Sequence, residues 1–562
     1  MHQPPSLDYK KPLDINLSVP RKVPVVIVGA GLVGLTLALD LARRGVPSVV
    51  LETRQALIEG SRAIVFAQRS LEILQRLGLG ERLTEKGVNW NLSRIYHRER
   101  ESFSFDFKTE PYFGCPAFLN IQQTYIEQWL IEDCLASGWV DLRCLNTVTS
   151  LESSGVGASV MVTCPDGSYR LDCDWLIACD GARSFVRNAL NLPLVGRHFH
   201  DHFLIVDVEM KPDFPAERRF WFDPPFHPGH SVLLHKQPDN LWRVDFQLGA
   251  EADPAFEKQP ARVTERLKAM LDPKIAFRID WISIYTFRCR RLENFVHSRI
   301  VFAGDSAHEV SPFGGRGGNG GIQDADNLAW KLCAVVKHGA SPKLLQSYDE
   351  ERVYAADENI INSTRSAQFI TPPNHAIATL RQASLVLSET TAMGCTFVNS
   401  GRLSSPARLG GIGQFLPDTS VKGRVKPGDV ALDAPVKNGD ESSWLLHFIG
   451  RKGFTLLCYR LSSNYDGGVN HIHIEDISNS YPLEIITVVS ATVEQPTVAS
   501  IDITLVDHYG LVAKRYDLAC GSIVLFRPDQ HVLDVFPSFN RDDIERTLAH
   551  SMPIATHAER KI

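Results

Sequence analysis

Apolar residues in this chain gather into short runs, several of which end at glycine. Val25-Val26-Ile27-Val28 is a continuous apolar run of the kind that forms a strand buried on both faces, and Gly29-Ala30-Gly31-Leu32-Val33-Gly34 follows it directly. A helical period carries on to about Arg44, Gly45 stops it, and Ser48 to Leu51 predicts a second strand ending at Glu52. A second buried-type run from Asp174 passes into Asp180-Gly181 and a helix start before Arg187. The third, Val301 to Ala303, ends in Gly304-Asp305, crosses a loop with Pro312 and glycines at 314, 315, 317, 318, 320 and 321, and enters an amphipathic helix through Leu332. Between the second and third runs, Leu204 to Met210, Arg219 to Phe222, Ser231 to His235, Leu241 to Leu248 and Arg278 to Phe287 read as strands, several of them alternating.

Beyond Lys331 the spacing changes. Helices are predicted over Leu345 to Asn362 and Ile377 to Leu387, and Gly401 to Gly413 reads as a linker. Strands follow at Phe454 to Tyr459 and Leu483 to Val489, with a closing pair, Ser522 to Phe526 and His531 to Phe536, around Arg527-Pro528-Asp529-Gln530.

The glycine-rich turns carry the candidate chemistry. Gly29 permits a tight turn, Gly31 lets a pyrophosphate reach the main chain, and Gly34 brings helix against strand; Glu52, 23 residues after Gly29, is placed to accept from an adenosine ribose hydroxyl. A membrane helix over Val23 to Leu39 is disfavoured, because the segment holds three glycines, is too short, and meets Asp40 and Arg43-Arg44. The third run presents backbone N–H groups at a helix N-terminus to something electron-rich, and its glycines allow a flat, partly anionic ring system to approach the main chain.

Composition permits this and adds little. With 562 residues, 44% of them apolar, the chain has room for two or three domains. A net charge of -6 and a pI near 6.4 give no reason to expect nucleic acid. The first 22 residues are polar and hold no apolar run suited to a secretion signal. Eleven cysteines, an odd number without a C-x-x-C, suit reduced thiols in the cytoplasm. The patches His200/His202 and His227/His230/His235 lack paired Cys or an H-E-x-x-H, so no metal is expected and these histidines are read as surface or pocket-wall residues.

Three segments in this order, a G-x-G-x-x-G, a D-G-x-x-S-x-V-R and a G-D, resemble the FAD-dependent aromatic hydroxylases of the para-hydroxybenzoate hydroxylase and phenol hydroxylase type, the group A flavoprotein monooxygenases. The likeness spans about Val23 to Arg365. It implies FAD as resident cofactor, NADPH or NADH as transient co-substrate, and O2. It also implies roles. Gly29, Gly31, Leu32, Val33, Gly34 and Glu52 would hold the ADP half. Arg62 and Gln123 would serve the ribityl chain and pyrophosphate, as would Asp180 and Gly181 near the latter. Asp305 would bind the ribityl hydroxyls, Pro312 would flank the edge where oxygen adds, and the N–H groups around Gly318 and Asn319 would face the N1/C2=O end of the ring. One part of this has its own physical reason: reduced flavin carries negative charge near N1, and a helix starting near Asn319 supplies about half a positive charge there. Arg316 would add a full one. Pro312 and Arg316 are therefore the catalytic candidates.

The fold implied is α/β. A discontinuous Rossmann-like FAD-binding domain (23–88, 118–192, 290–365) follows an N-terminal extension (1–22) and carries an inserted mixed β-sheet substrate domain (89–117, 193–289). A helical connector and linker (366–413) leads to a thioredoxin-like tail (414–548) in which Cys458 and Cys520 are isolated, so its part would be structural, in a possible homodimer. Trp221, Arg243, Asp245, Gln247 and Tyr285 are candidates for the substrate face of the sheet.

Two absences narrow the chemistry. No second strand-bounded G-x-G-x-x-G exists, since Gly155-Val156-Gly157 reads as a hairpin turn, so nicotinamide would bind transiently. The W-x-W-x-I-P of flavin halogenases is missing as well. Where some phenol-type hydroxylases place an Asp or His after the second strand, this chain has Ile64-Val65-Phe66, which leaves activation of a phenol to some other residue. The expected activity is hydroxylation of a phenolic or related aromatic substrate through a flavin C4a-hydroperoxide. Epoxidation, Baeyer–Villiger or quinone-forming oxygenation of a polycyclic is the alternative on the same scaffold, and a non-catalytic flavin sensor is the rival from another class.

Overall fold

The computed structural model describes residues 7–55, 63–107, 112–212, 214–398, 404–415, 425–461, 477–491 and 503–556. Its first sheet is built on the strand Arg21–Val28, whose Val25, Val26 and Ile27 are completely buried, as a strand covered on both faces requires. In spatial order the sheet runs Val296–His297, Ile300–Phe302, Gly167–Ala178, Arg21–Val28, Ser48–Leu51, Val140–Arg143, and the hairpin Thr147–Ser154/Gly157–Cys164 extends Gly167–Ala178. The helices Leu32–Arg43 and Gly317–Lys337 pack together against it.

Register is what makes this sheet useful. Leu51 pairs with Val28, Val28 with Ala178, and Ala178 with Phe302 in parallel. The residues that follow, Glu52, Gly29, Cys179-Asp180 and Ala303-Gly304, therefore emerge side by side at the carboxyl edge, where open α/β sheets bind ligands.

The second sheet has eight strands in the order His308–Glu309, Phe277–Arg291, Val195–Met210, Leu241–Gly249, Ser231–Lys236, Arg218–Phe222, Leu92–His97, Arg100–Asp106. Two strands are much longer than their apolar stretches suggest, because the polar segment Val195 to His198 continues the pairing against Arg288 to Arg291. Helix Pro260–Met270 covers one face through Val263 and Leu267. A small sheet of Val65–Ala67, Phe118–Asn120 and Val88–Asn89 is bonded to the second sheet, where Asn120 donates to the Lys236 carbonyl.

The helix Leu344–Ile370 runs eight residues beyond its predicted end at Asn362, and His375–Ser388 follows it. The C-terminal unit is a seven-stranded mixed sheet with Phe454–Arg460, Leu483–Ser490 and Ile503–Asp507 parallel at its centre. Ile503–Asp507, the hairpin Pro435–Asn438/Glu441–Trp444 and the helix Arg541–Ser551 carry too weak a periodicity to be read beforehand. All eleven cysteines are free thiols. Among the described residues no helix is long and apolar enough to cross a membrane.

A buried charge network joins the C-terminal unit to the first domain. Arg527 donates to both Glu351 oxygens at 2.8 and 2.9 Å and to Asp529 at 2.6 and 2.8 Å, and Lys331 donates to Glu351 at 3.0 Å. All four side chains are fully buried. Burial alone would raise the Glu351 carboxyl, but Arg527 and Lys331 outweigh it and hold it well below the usual range. Arg527→Met leaves two carboxylates buried with too little compensation and should cost about 3–5 kcal/mol. Chemical denaturation reads this, and an unchanged midpoint would show that the network contributes nothing.

Candidate functional site

At the carboxyl edge of the first sheet the backbone itself forms the site. Gly29 has φ +105°, and a Cβ there would lie 2.5 Å from the Cys179 carbonyl oxygen; a Cβ on Gly34 would lie 2.1 Å from the Gly29 oxygen. Both glycines are thus required by the fold itself. Gly31 is different: its φ is -87° and a Cβ would meet nothing closer than Glu127 Oε1 at 3.8 Å, so nothing within the chain requires it to be small.

The turn is held by two carboxylates. Glu52 accepts from the Ala30 N–H at 2.9 Å and from Arg54. Burial would raise its carboxyl, but the Arg54 bonds and charge and the Ala30 N–H together hold it below its ordinary value. Glu127 accepts from the Leu32 N–H at 3.0 Å and from Gln123 at 2.8 Å, while Gln123 accepts from the Ala63 N–H. Glu127, which is not among the residues singled out from the sequence, is thus a direct contact of the helix start. Arg62 lies outside the described residues.

Asp180 and Gly181 sit beside this turn. Asp180 Oδ2 accepts from the Val186 N–H, whereas Oδ1 is buried with no partner among the described residues, and burial pushes the carboxyl above its usual value. Arg187 ties the loop to its neighbour by donating to the Ala182 and Ser306 carbonyls. Across from it, Gly304 (φ +65°) turns the chain so that Asp305 is exposed at the edge. Asp324 fixes that turn. It accepts from the Gly304 N–H at 2.9 Å, from His308 at 2.7 Å and from Arg352 at 2.6 Å. Burial opposes its charge, but Arg352 and His308 hold the carboxyl far below the usual range.

The glycine loop then leads into the helix Gly317–Lys337. The Gly320 N–H bonds the Arg316 carbonyl, so the N–H groups of Gly317, Gly318 and Asn319 belong to the first turn, which has no intrahelical acceptors. The Asn319 side chain is committed elsewhere: its amide group donates to the Val65 and Gly315 carbonyls and its oxygen accepts from the Ala67 N–H. Pro312 is exposed. Arg316, far from being a solvated loop charge, is buried and donates to Asn359 at 2.9 Å.

The second sheet turns one face toward this loop, and parity along the strands decides which candidates share it. Phe203, Phe287 and Phe313 meet at ring distances of 4.6 to 5.1 Å, with Tyr285 beside them. Arg243, Asp245 and Gln247 lie on the same face. Trp221 does not: Phe220 and Phe222 take the inner face, so Trp221 points outward and stacks on Tyr96 at 5.2 Å. Arg243 is spent on Asp207, which it binds through two 2.8 Å bonds, so its fork is not open to a carboxylate substrate. Gln247 accepts from the Ser231 N–H and hydroxyl. The sequence carries no signal for Asp207 and Arg218 on this face and offers His235 only as a surface or pocket-wall residue, since only the register reveals that they adjoin Arg243. Among the described residues no group of His, Cys, Asp or Glu is arranged to hold a metal.

A family model described as "FAD binding domain" matches residues 22–363. The chain is similar to a 3-(3-hydroxy-phenyl)propionate/3-hydroxycinnamic acid hydroxylase from Mycolicibacterium smegmatis, at 27% identity over 79% of this chain and 78% of that one. It spans 64% of the length of a protein of the same name from Klebsiella pneumoniae. A 12-dehydrotetracycline 5-monooxygenase/anhydrotetracycline 6-monooxygenase from Streptomyces rimosus is 31% identical over 65% of this chain and 73% of its own. In fold, the chain matches the flavin-dependent monooxygenase PieE with a TM-score of 0.80 at 22% identity, over 95% of this chain and 99% of that one.

The open side of Gly31 and the unpartnered Asp180 oxygen fit a dinucleotide lying along the edge. Gly31→Ala should leave the stability of the flavin-free protein within about 0.5 kcal/mol of wild type, yet abolish flavin retention. Thermal denaturation and the flavin absorbance of the purified variant read the two effects separately; a yellow, equally stable variant would contradict the placement.

Proposed function

The chain belongs to the FAD-binding family matched over residues 22–363, and on that premise we propose that it is an NAD(P)H-dependent FAD monooxygenase hydroxylating a phenolic or related aromatic substrate. The observation that carries this reading is the juxtaposition of a main-chain cradle at the sheet edge with an inward sheet face of clustered aromatic rings beside buried polar groups. Relatives named as hydroxylases of hydroxyphenyl compounds support the same class of substrate.

Gly29, Gly31, Leu32, Val33, Gly34 and Glu52 hold the ADP half of FAD in this reading. Asp180, Gly181 and Gln123 serve the pyrophosphate and ribityl chain, Asp305 the ribityl hydroxyls, and the Gly318 and Asn319 N–H groups the anionic end of the ring. FAD held by these residues would supply the redox chemistry that links NAD(P)H and O2 to oxygenation of an electron-rich ring. The chain's own part is electrostatic and steric. The first turn of Gly317–Lys337 contributes about half a positive charge where the reduced ring is negative. The buried Arg316 adds a full charge in a place where water screens it little. The Phe203, Phe287 and Phe313 rings exclude water, which protects a reactive oxygen donor from wasteful breakdown.

The tetracycline-named relative favours a larger polycyclic as second reading, oxygenated by epoxidation, Baeyer–Villiger insertion or quinone formation; product mass separates these. A screen of phenols and aryl carboxylates for stimulated NAD(P)H and oxygen consumption, with peroxide measured alongside, tests the proposal. A protein that binds flavin and a ligand but shows no stimulated oxidation is a sensor, and the proposal fails. Asp305→Ala, a change at an exposed position, should leave the fold intact and abolish flavin retention. A fully yellow variant with unchanged flavin affinity would remove Asp305 from the site.

A further inference from the structure

Strand register places Asp245 at the centre of the inward sheet face, opposite Ile205 on one side and Leu233 on the other. On one flank is the aromatic row through Phe203, whose ring lies 5.1 Å from Phe313, the neighbour of Pro312 in the glycine loop. On the other flank is a charged row in which Asp207 pairs with Arg243 and Arg243 with His235, with Arg218 at the start of the adjoining strand. His235 meets the Trp90 ring at 6.3 Å, and Trp90 stacks on Phe118 of the small sheet. That sheet is bonded to Asn319 through Val65 and Ala67. Both flanks of Asp245 are therefore connected to the segment that begins the Gly317–Lys337 helix.

Within the charged row, Arg243 and Asp207 satisfy each other, and Gln237 adds a donor to Asp207 at 2.9 Å. The spare capacity sits next to them. Asp245 Oδ1, Arg218 Nε and His235 Nδ1 are all buried without a partner among the described residues. Gln237 Oε1 is a fourth such atom; buried polar atoms are normally bonded, so these exceptions in one cluster point to a functional role. Asp245 and Arg218 are both only half-buried, so a small molecule lying on this face can reach them.

We propose that Asp245 takes the proton of a ring hydroxyl on the substrate while Arg218 stabilises the oxygen left behind, which makes the substrate a phenol. This rests on the monooxygenase reading above. The phenol O–H bond breaks, a bond from that proton to a carboxylate oxygen of Asp245 forms, and the electron pair stays on the ring oxygen. Negative charge moves from carboxylate to phenolate with no net change, and the ring becomes richer in electrons for attack on an oxygen donor.

The surroundings suit a base. Burial raises the Asp245 carboxyl, Arg243 lowers it, Asp207 raises it and Arg218 lowers it, leaving it at about 7. His235 stays neutral, since burial and then Arg218 and Arg243 push it well below its ordinary value. This placement supplies from the sheet the acid or base that Ile64-Val65-Phe66 lacks.

The test uses flavin-loaded protein with 4-nitrophenol as a chromogenic probe and a panel of phenols as substrates. Near pH 7 wild type should hold bound 4-nitrophenol in its coloured anionic form to a greater extent than the free compound at the same pH, and its phenol-stimulated NAD(P)H oxidation should fall as pH drops below about 7, where Asp245 is already protonated. Asp245→Asn should bind the probe as the neutral phenol and lose about 100-fold in kcat at pH 7, recovering as pH approaches the ionisation of the free phenol. An unchanged anion band and pH profile in this variant would overturn the assignment. Should Asp245→Asn fail to fold, Arg218→Met, which keeps the carboxyl, should reduce the ionised fraction of bound probe; no reduction overturns the assignment equally. If wild type neither perturbs the probe nor is stimulated by any phenol, the monooxygenase reading of a phenolic substrate itself fails.

Discussion

One buried carboxylate, that of Asp324, fixes the relative positions of most of the candidate site. Its oxygens take up the Gly304 N–H, the His308 ring and the Arg352 guanidinium, so a single residue pins the turn that presents Asp305, the strand that follows it, and the helix Leu344–Ile370. Arg352 reaches back to the Gly320 carbonyl in the first turns of Gly317–Lys337. An ion this deep survives only because it is bonded from several sides. The glycines of the loop can consequently be free of side chains without the loop being free to move: its two ends are held by the same charge.

The cradle was legible beforehand because its requirements are local. Gly29 and Gly34 are dictated by contacts within a few residues or across one strand pair, and Glu52 ends a strand whose neighbours are set by an apolar run. Asp324 was not legible, since it sits in an amphipathic helix and its partners are 16 to 28 residues away. Arg243 shows a different limit. An arginine alternating with Trp242 and Val244 reads as a candidate for an anionic substrate, but its partner Asp207 lies on a strand whose register no short pattern reveals. Trp221 failed on parity, because one residue of offset exchanges the faces of a strand.

The second sheet combines two kinds of surface on one face. Aromatic rings near Phe313 give way, from Phe203 to Asp207 along one strand, to a row of charges near the small sheet. The opposite face carries an apolar cluster under the helix Pro260–Met270. Such asymmetry is costly to build, since each buried charge has to be matched by another. The sheet provides most of the matches within itself.

The seam between Arg527 and the pair Lys331 and Glu351 bears on how such proteins can be recombined. Lys331 lies in the helix whose first turn faces the sheet edge, and Glu351 precedes Arg352 in the helix that clamps Asp324. A C-terminal unit exchanged for one lacking the Arg527 and Asp529 side chains would strand charges in both helices. The tail is therefore no interchangeable module, and a chimera would have to carry this seam across intact for the graft to keep the catalytic end of the protein in register.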